Sequence, residues 1–173
     1  MISAPIARRA SKCGAIEHLY HYTMSIEKEI RQVKFVSEYQ KLNLNLIYTY
    51  NWTTECSKKF FEKANLTSQQ FNILRILRGS GKPLSTHQIR QRMLDKMSDT
   101  SRIVDRLIKK GLVEKMTCKN DRRLVDITIS AAGLSLLAEL DKHSQELHSH
   151  LTHLSEEDAR TINRLLDKLR NGG

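Results

Sequence analysis

A run of short polar side chains followed by two arginines is the strongest chemical signal in this sequence. Ser98 begins the run, and three more short polar residues lead to Arg102, with Arg106 one helical turn later. Hydroxyl, carboxylate and guanidinium groups at a helix surface can reach base edges in the major groove of DNA, where arginine binds guanine through two hydrogen bonds. The segment predicts a DNA-reading helix that uses six residues, Ser98, Asp99, Thr100, Ser101, Arg102 and Arg106.

A polar and basic segment, residues 117–123, follows this helix and indicates the loop of a β-hairpin. Beyond it, Val125, Ile127 and Ile129 alternate with polar side chains, as is typical of a returning strand. Arginines at a narrow hairpin tip can enter the minor groove, where the negative potential is strong. We expect this hairpin to contact DNA through Asp121, Arg122 and Arg123. Taken alone, a basic turn is more often a solvated hairpin tip, but the preceding helix favours a DNA contact here.

Two short helices are predicted ahead of the DNA-reading helix, each by a capping box in front of an apolar stripe. Thr67 and Gln70 form the first box, and Ser85 and Gln88 form the second. In such a box the hydroxyl and the amide satisfy backbone amides that have no partner within the helix. Both helices are therefore expected to be short and to bury one face.

The predicted DNA-reading helix begins with Ser98 as its cap and stops at Gly111. Its apolar residues face inward, whereas Thr100 is expected to face outward with the charged residues. Helix, helix and hairpin in this order predict a winged helix-turn-helix. The fold class is mainly α with a small β-hairpin wing, an α+β arrangement.

Longer helices flank this central unit. The chain from Ile26 to about Ala64 has helical spacing, with apolar residues on two faces. After Ser130, a near-heptad stripe of leucines predicts one helix that continues to Leu154, and a last helix opens at Ser155. A helix that is apolar on two sides must be covered, and a second copy of the chain is the simplest cover. We therefore expect dimerisation helices at both ends.

The overall charge favours a polyanionic partner. The formal net charge is +10 and the isoelectric point is near 9.7, which suits nucleic acid or an acidic membrane surface. The apolar runs are shorter than the roughly 20 residues of a membrane-spanning helix, and no secretory signal is apparent, so we expect a cytoplasmic protein that uses no membrane. Three widely spaced cysteines indicate neither a disulfide framework nor a zinc site. No cofactor and no metal are expected.

The residues from Ser98 to Val113, followed by Asn120 to Ser130 and by Gly133, resemble the MarR family of bacterial transcriptional regulators. The helix block and the Asp-Arg-Arg triplet ahead of a strand carry this resemblance, which extends over residues 26–170. The resemblance implies a homodimer whose first and last helices form a dimer platform. Two winged lobes would then bind a pseudopalindromic operator in double-stranded DNA, with repression relieved by a small molecule or an oxidant.

The resemblance also implies roles for individual residues. Arg123 would be the arginine of the minor groove, and Asp121 would hold the wing. A small-molecule effector would bind near Tyr48, Trp52 and Phe71, although the first two are one helical turn apart and could serve core or dimer packing instead. The implied division begins with a flexible arm at residues 1–24. The DNA-binding lobe spans residues 66–130, and the dimerisation helices lie on either side of it, at residues 25–65 and 131–173.

Two other function classes remain open. A winged helix can be a protein-interaction adaptor whose basic face meets an acidic protein, and a basic chain can coat nucleic acid without sequence preference. No catalytic triad order, paired carboxylates in an apolar setting or phosphate-binding loop is apparent, so we expect no enzyme.

Several other polar residues have two interpretations each. Lys109 and Lys110 can meet phosphates or complement the dipole of their own helix. Cys118 and the histidines between His143 and His153 permit redox or metal sensing, but an inert thiol and solvated histidines are the simpler interpretations.

Overall fold

The computed structural model describes residues 25–117 and 125–172. The chain divides into two compact units, residues 1–56 and 57–173. The predicted arm, residues 1–24, lies outside the described residues, as does the loop at 118–124. Among the described residues, no helix is both long enough and apolar enough to cross a membrane.

In the first unit, the expectation of one continuous helix from Ile26 to about Ala64 is wrong. Helix α1 (Ile26–Ile30) ends where Arg31 adopts the left-handed conformation with φ of 55°, and helix α2 (Glu38–Lys63) begins seven positions later. The left-handed residue ends the α-helical hydrogen bonding. Apolar spacing continues across this break, which is why periodicity alone did not reveal it.

Polar contacts within this unit join α1 to α2. Lys41 lies 2.6 Å from Glu27, and its hydrogen bond lowers the pKa of Glu27 to about 2. The hydroxyl of Tyr48 donates to the carboxylate of Glu29. Tyr48 therefore has a structural partner within its own unit.

The second unit opens with two capped helices, as predicted. Helix α3 (Ser68–Ser80) carries the complete box of Thr67 and Gln70, and helix α4 (Thr86–Arg92) carries that of Ser85 and Gln88. Helix α4 has seven residues, fewer than the ten or so that the sequence indicated. Met93, the next residue, is already extended with ψ of 141°.

Helix α5 (Thr100–Lys109) differs from prediction at its start. Asp99, and not Ser98, is the cap, and its carboxylate accepts a 3.1 Å hydrogen bond from the amide of Arg102. The helix ends as expected at Gly111, which has φ of 68°. The amides of Gly111 and Leu112 return to carbonyls of the last turn at 2.8 and 3.0 Å, the paired bonds of a Schellman motif.

The sheet has three strands, of which one was not predicted. Strand β1 (Leu84–Ser85) pairs antiparallel with β3 (Val125–Ile129), which pairs antiparallel with β2 (Val113–Thr117), so that the order is β1-β3-β2. In the register, Leu84 faces Ile127 and Val113 faces Ile129. A two-residue strand is too short to show an alternating pattern, so the sequence could not reveal β1.

Helices α3, α4 and α5 and the sheet enclose one apolar core. Its centre is formed by side chains that are at most 2% exposed, namely Ile73, Leu74, Leu77, Leu84, Ile89, Val104, Leu107, Val113, Ile127 and Leu137. Phe71 and Ile76 pack against it from its edge. The core thus connects the predicted helix-turn-helix to the base of the hairpin.

The C-terminal region contradicts the prediction of one helix through Leu154. Helix α6 (Ala131–Lys142), capped by Ser130 as expected, is followed by α7 (Ser144–His148), a short 3-10 turn (Ser149–Leu151) and helix α8 (Glu156–Asn171). His143 separates the first two, with φ of −106° and ψ of 16°. The leucine stripe therefore bends, and Leu151 and Leu154 stay 43% exposed.

Candidate nucleic-acid interface

Helices α4 and α5 form the helix-turn-helix, and three polar contacts hold the turn between them. The amide of Leu94 donates to Asn72 Oδ1 on α3 at 3.0 Å. Arg90 Nε donates to the carbonyl of Lys96 at 3.4 Å, and the hydroxyl of Ser98 donates to the carbonyl of Asp95 at 2.8 Å. The entry to α5 is therefore set by bonds to both preceding helices.

Three of the six predicted DNA-reading residues have roles within the protein. Asp99 caps α5, and Ser98 is half-buried with its hydroxyl bonded in the turn. Thr100 is only 3% exposed, which contradicts the expectation that it faces outward. Its Oγ1 is buried without a hydrogen-bond partner among the described residues. Thr100 lies four positions before Val104 and seven before Leu107, so it shares their buried face of α5.

The remaining three residues form an exposed stripe on α5. Ser101, Arg102 and Arg106 all lie on the surface, and the side chain of Arg102 is 80% exposed. Arg102 Nε is 3.7 Å from the Asp99 carboxylate, a distance that leaves the guanidinium donors available to another acceptor. The stripe can donate to base edges from the first turn and to phosphates from the second.

The wing is described only at its base. Lys115, on β2, lies 2.9 Å from Asp105 on α5 and ties the wing to the helix that precedes it. Asp121, Arg122 and Arg123, with Cys118, lie outside the described residues. Their DNA contacts therefore stay predictions.

Sequence reasoning missed two residues that shape this surface, Arg90 and Lys115. Arg90 bonds the turn of the helix-turn-helix, and Lys115 joins the wing to α5. Both are exposed basic residues next to the predicted site. The polar position of Lys115 in the alternation of β2 was the available signal, but its partner Asp105 was visible only in the fold.

Close packing fixes the base of the wing. The hydroxyl of Ser130 donates to the carbonyl of Gly111 at 2.7 Å and accepts from the amide of Gly133 at 3.1 Å. A Cβ at Gly133 would clash with the carbonyl oxygen of Leu112 and come within 2.8 Å of Ile129 Cγ1. Glycine is therefore required here by the close approach of α6 to the sheet.

One predicted effector residue lies on a cavity of the second unit. Phe71 lines a space of about 240 Å³ together with Phe60, Arg75, Leu140, Asp141, Ser144, Leu147 and His148. Phe71 packs on Phe61 with ring centroids 5.2 Å apart, and Arg75 lies 5.9 Å from its ring centre. Tyr48 and Trp52 belong to the first unit, on α2, and are 37% and 44% exposed.

A carboxylate forms the polar side of this cavity. Asp141 lies 2.6 Å from Arg78 and 3.0 Å from Arg75. The hydrogen bond from Arg78 is the main reason that the pKa of Asp141 lies below its ordinary value. The cavity thus combines aromatic walls with an ion pair between Arg75 and Asp141.

The histidine region holds a charge network. His143 lies 3.7 Å from Glu139 and 3.6 Å from Glu146, which in turn lies 2.7 Å from Lys63. Within residues 25–117 and 125–172, no three His, Cys, Asp or Glu side chains form a group that could hold a metal ion.

Comparisons with family models, curated proteins and solved structures agree on one family. The model of the MarR family matches residues 66–125. The transcriptional regulator PecS of Dickeya dadantii is 30% identical over 114 residues, which cover 64% of this chain and 69% of PecS. A crystal structure of a MarR transcription factor from Planctomyces limnophilus is 31% identical, with a TM-score of 0.59 over 78% of this chain and 98% of that chain.

More distant structures share the fold. A mutant of MarR from E. coli in complex with operator DNA superposes with a TM-score of 0.70 at 21% identity, over 79% of this chain and 99% of the other. The organohalide-sensing regulator RdhR, bound to 2,4-dichlorophenol, gives a TM-score of 0.73 at 20% identity, over 91% and 89%. At these identities the likeness concerns the fold alone.

Proposed function

Because this chain belongs to the MarR family of transcriptional regulators, we propose that it binds a pseudopalindromic operator as a homodimer and represses transcription until a small molecule binds it. The geometry of α5 carries this proposal. Its first two turns present Ser101, Arg102 and Arg106 to solvent, while Val104 and Leu107 hold its other face in the core. This arrangement supports insertion of an exposed polar face into the major groove.

The proposal also assigns a role to each segment of the chain. Residues 66–130 form the DNA-binding lobe, and the segments 25–65 and 131–173 supply dimerisation helices. The apolar residues Ile162, Leu165 and Leu169 of α8 support this assignment, since they are 42%, 50% and 55% exposed in the single chain. Covering them against a second copy removes apolar surface from water.

Response to a ligand is proposed at the cavity beside Phe71. The volume of about 240 Å³ suits a small aromatic compound, and the rings of Phe60 and Phe71 supply apolar walls. Such a ligand must prefer the dimer whose two recognition helices are wrongly spaced, because equal affinity for both states shifts nothing. Tyr48 and Trp52 stay predictions as effector contacts.

The same proposal covers catalytic activity, cellular location and the contacts of the wing. Its family consists of transcriptional regulators, and we propose that this chain likewise has no catalytic activity of its own. We place it in the cytoplasm with the DNA that it regulates. Arg122 and Arg123 at the wing tip are proposed to contact the minor groove, with Asp121 holding the wing.

Selection of bound DNA from a random-sequence duplex pool tests the proposal. The protein is titrated at a salt concentration that suppresses nonspecific contacts, and the bound fraction is sequenced. An enriched inverted repeat with half-sites about one helical turn apart supports a dimeric regulator and provides its operator. Absence of any enriched sequence contradicts the proposal and favours an adaptor or a nucleic-acid coat protein.

Replacement of Arg102 by alanine tests the exposed stripe directly. We expect the loss of about 1–3 kcal/mol of operator binding and relaxed preference at one base pair of each half-site. Thr100→Val is the matched control, since the adjacent Thr100 is buried and should leave the base preference unchanged. Equal base preference in the Arg102 variant and the wild type would exclude direct reading by this arginine.

A further inference from the structure

Lys110 follows the last residue of α5 and joins this helix to the junction between α2 and α3. Its Nζ donates to the carbonyl oxygen of Asn65 and, at 3.3 Å, to Oε1 of Gln70. Gln70 is only 4% exposed, and its Oε1 also accepts the amide of Thr67 at 3.1 Å. One ammonium group thus contacts the end of α2 and the capping box of α3.

The first acceptor, Asn65, lies two residues beyond α2 and belongs to the turn that ends this helix. Asn65 has φ of 51°, and the amides of Asn65 and Leu66 return to carbonyls of the last turn at 2.9 and 3.0 Å, which makes a Schellman motif. Carbonyl groups at such an end carry partial negative charge, which a nearby ammonium stabilises. The sequence-based choice for Lys110 lay between its own helix dipole and a phosphate, whereas the structure directs it to the end of another helix.

The length of α5 makes the position of its first turn sensitive to small movements at its Lys110 end. The helix has ten residues, so its two ends are separated by about 15 Å. A tilt of about 5° at the Lys110 end would therefore displace Arg102 and Ser101 by roughly 1 Å. Displacement of this size degrades hydrogen bonds to base edges but leaves attraction to phosphates nearly intact.

We propose that Lys110 is a positioning residue for DNA recognition, which holds α5 against the α2–α3 junction without contacting DNA. This inference rests on the proposed function for its DNA readout, but its structural part does not. It also provides a connection by which a change at the end of α2 reaches the recognition helix.

The chain offers a matched control in the adjacent lysine. The side chain of Lys109 is also exposed, and it makes no hydrogen bond or ion pair within the described part of the chain. Replacing Lys109 or Lys110 by methionine removes one charge from the same end of α5 and keeps a similar aliphatic stem. Lys110→Arg keeps the charge and donors and serves as the conservative variant.

The first experiment compares operator and random-sequence duplex binding across a salt series. For Lys110→Met we expect operator affinity to fall about three- to tenfold, with random-duplex affinity and the salt slope equal to those of the wild type. Lys110→Arg should recover most of the loss. A salt slope lower than that of the wild type by about 1 in Lys110→Met would mean a phosphate contact and would overturn the proposal, as would operator affinity equal to that of the wild type.

The second experiment measures amide hydrogen exchange in the free protein. Loss of the contact should raise exchange in residues 64–70 and 106–112 of Lys110→Met, while Lys109→Met exchanges as the wild type does. Unchanged exchange at both segments overturns the inference. If the wild type binds no operator preferentially, the proposed function fails, but this exchange result still decides whether Lys110 joins the two helix ends.

Discussion

The recognition helix α5 and the final helix α8 follow the same local rules but differ in what covers them. Both are amphipathic and both begin at a side-chain cap, Asp99 in one and Ser155 in the other. Helix α5 buries Val104 and Leu107 to 1% and 0% exposure, whereas α8 has no buried residue. The difference shows that an apolar stripe specifies a need for burial but not the surface that meets it.

For α5 that surface comes from neighbouring elements of the same unit. Helices α3 and α4 and the sheet surround its apolar face, so the position of the exposed stripe on α5 follows from the packing of the core. For α8 a second chain is the proposed cover. Stability of the lobe should therefore be a property of the single chain, while the spacing of two lobes should depend on association.

The largest effect is expected from Leu107→Ala in the lobe. Leu107 is fully buried, so the truncation should lower the free energy of unfolding of the lobe by about 2–5 kcal/mol through lost burial and a cavity. Denaturant unfolding measured at several protein concentrations checks this. Leu165→Ala on α8 is the control. Its loss of stability should be smaller than that of Leu107→Ala and should grow as the protein is diluted. If both variants lost the same stability with the same concentration dependence, the contrast between α5 and α8 would be contradicted.

Leu165→Glu should separate association from folding. A carboxylate in the proposed dimer interface is costly to bury, so we expect a monomer in sedimentation and operator affinity reduced by about 100-fold, because two linked lobes no longer bind together. Near-native unfolding of the lobe should remain. Asn163→Glu adds the same charge to α8 and should stay dimeric; a dimeric Leu165→Glu protein would argue against this face.

Gly133→Ala tests the close packing that joins α6 to the wing. The added Cβ meets the Leu112 carbonyl and Ile129, so we expect a loss of about 1–3 kcal/mol of stability despite the higher helix propensity of alanine. Thermal unfolding is the measurement. At Gly79 of α3 nothing lies within 4 Å of an added Cβ, so Gly79→Ala should gain up to about 1 kcal/mol. Equal effects at both glycines would contradict the packing argument.

The smallest effect concerns the ion pairs of Asp141 at the rim of the lobe. The folded-state pKa of Asp141 is lowered, mainly by the hydrogen bond from Arg78, so its contribution is present above pH 4 or so and is lost as pH falls through the folded pKa. Because the side chain is 43% exposed, Asp141→Asn should cost less than about 1 kcal/mol at neutral pH.

Unfolding in denaturant at neutral and acidic pH checks the Asp141 prediction. The difference between the wild type and Asp141→Asn should shrink towards zero as pH falls, because protonation removes the same charge in the wild type. Glu114→Gln, an exposed change on β2, is the reference. A difference that is constant with pH would show that the carboxylate charge contributes nothing.

Most of the recognition unit was predictable because its signals are local. Both capping boxes, the stop at Gly111 and the cap at Ser130 involve residues within a few positions of each other, and the structure confirms all four. The start of α5 was wrong by one residue since Ser98 and Asp99 are both good caps. The outward placement of Thr100 was also wrong, because Thr100 lies one helical turn before Val104 on the buried face of α5.

The long helices were less predictable, because apolar periodicity persists across breaks in the backbone. Arg31 and His143 interrupt the predicted helices, and no glycine or proline marks either place. The partners of Lys110 and Lys115 lie 45 and 10 positions away in the sequence. Such partners cannot be chosen from spacing alone.

By itself, the sequence determined the family, the order of helices and hairpin, and the basic character of the predicted DNA-reading helix, because these depend on short-range patterns and on composition. Only the tertiary structure decided which polar residues of α5 are exposed and which are buried or bonded. It also decided that Lys110 reaches the end of α2 rather than solvent. These outcomes depend on the packing of distant elements: successive side chains of a helix point about 100° apart, so that Thr100 is buried while Ser101, its neighbour in sequence, is exposed.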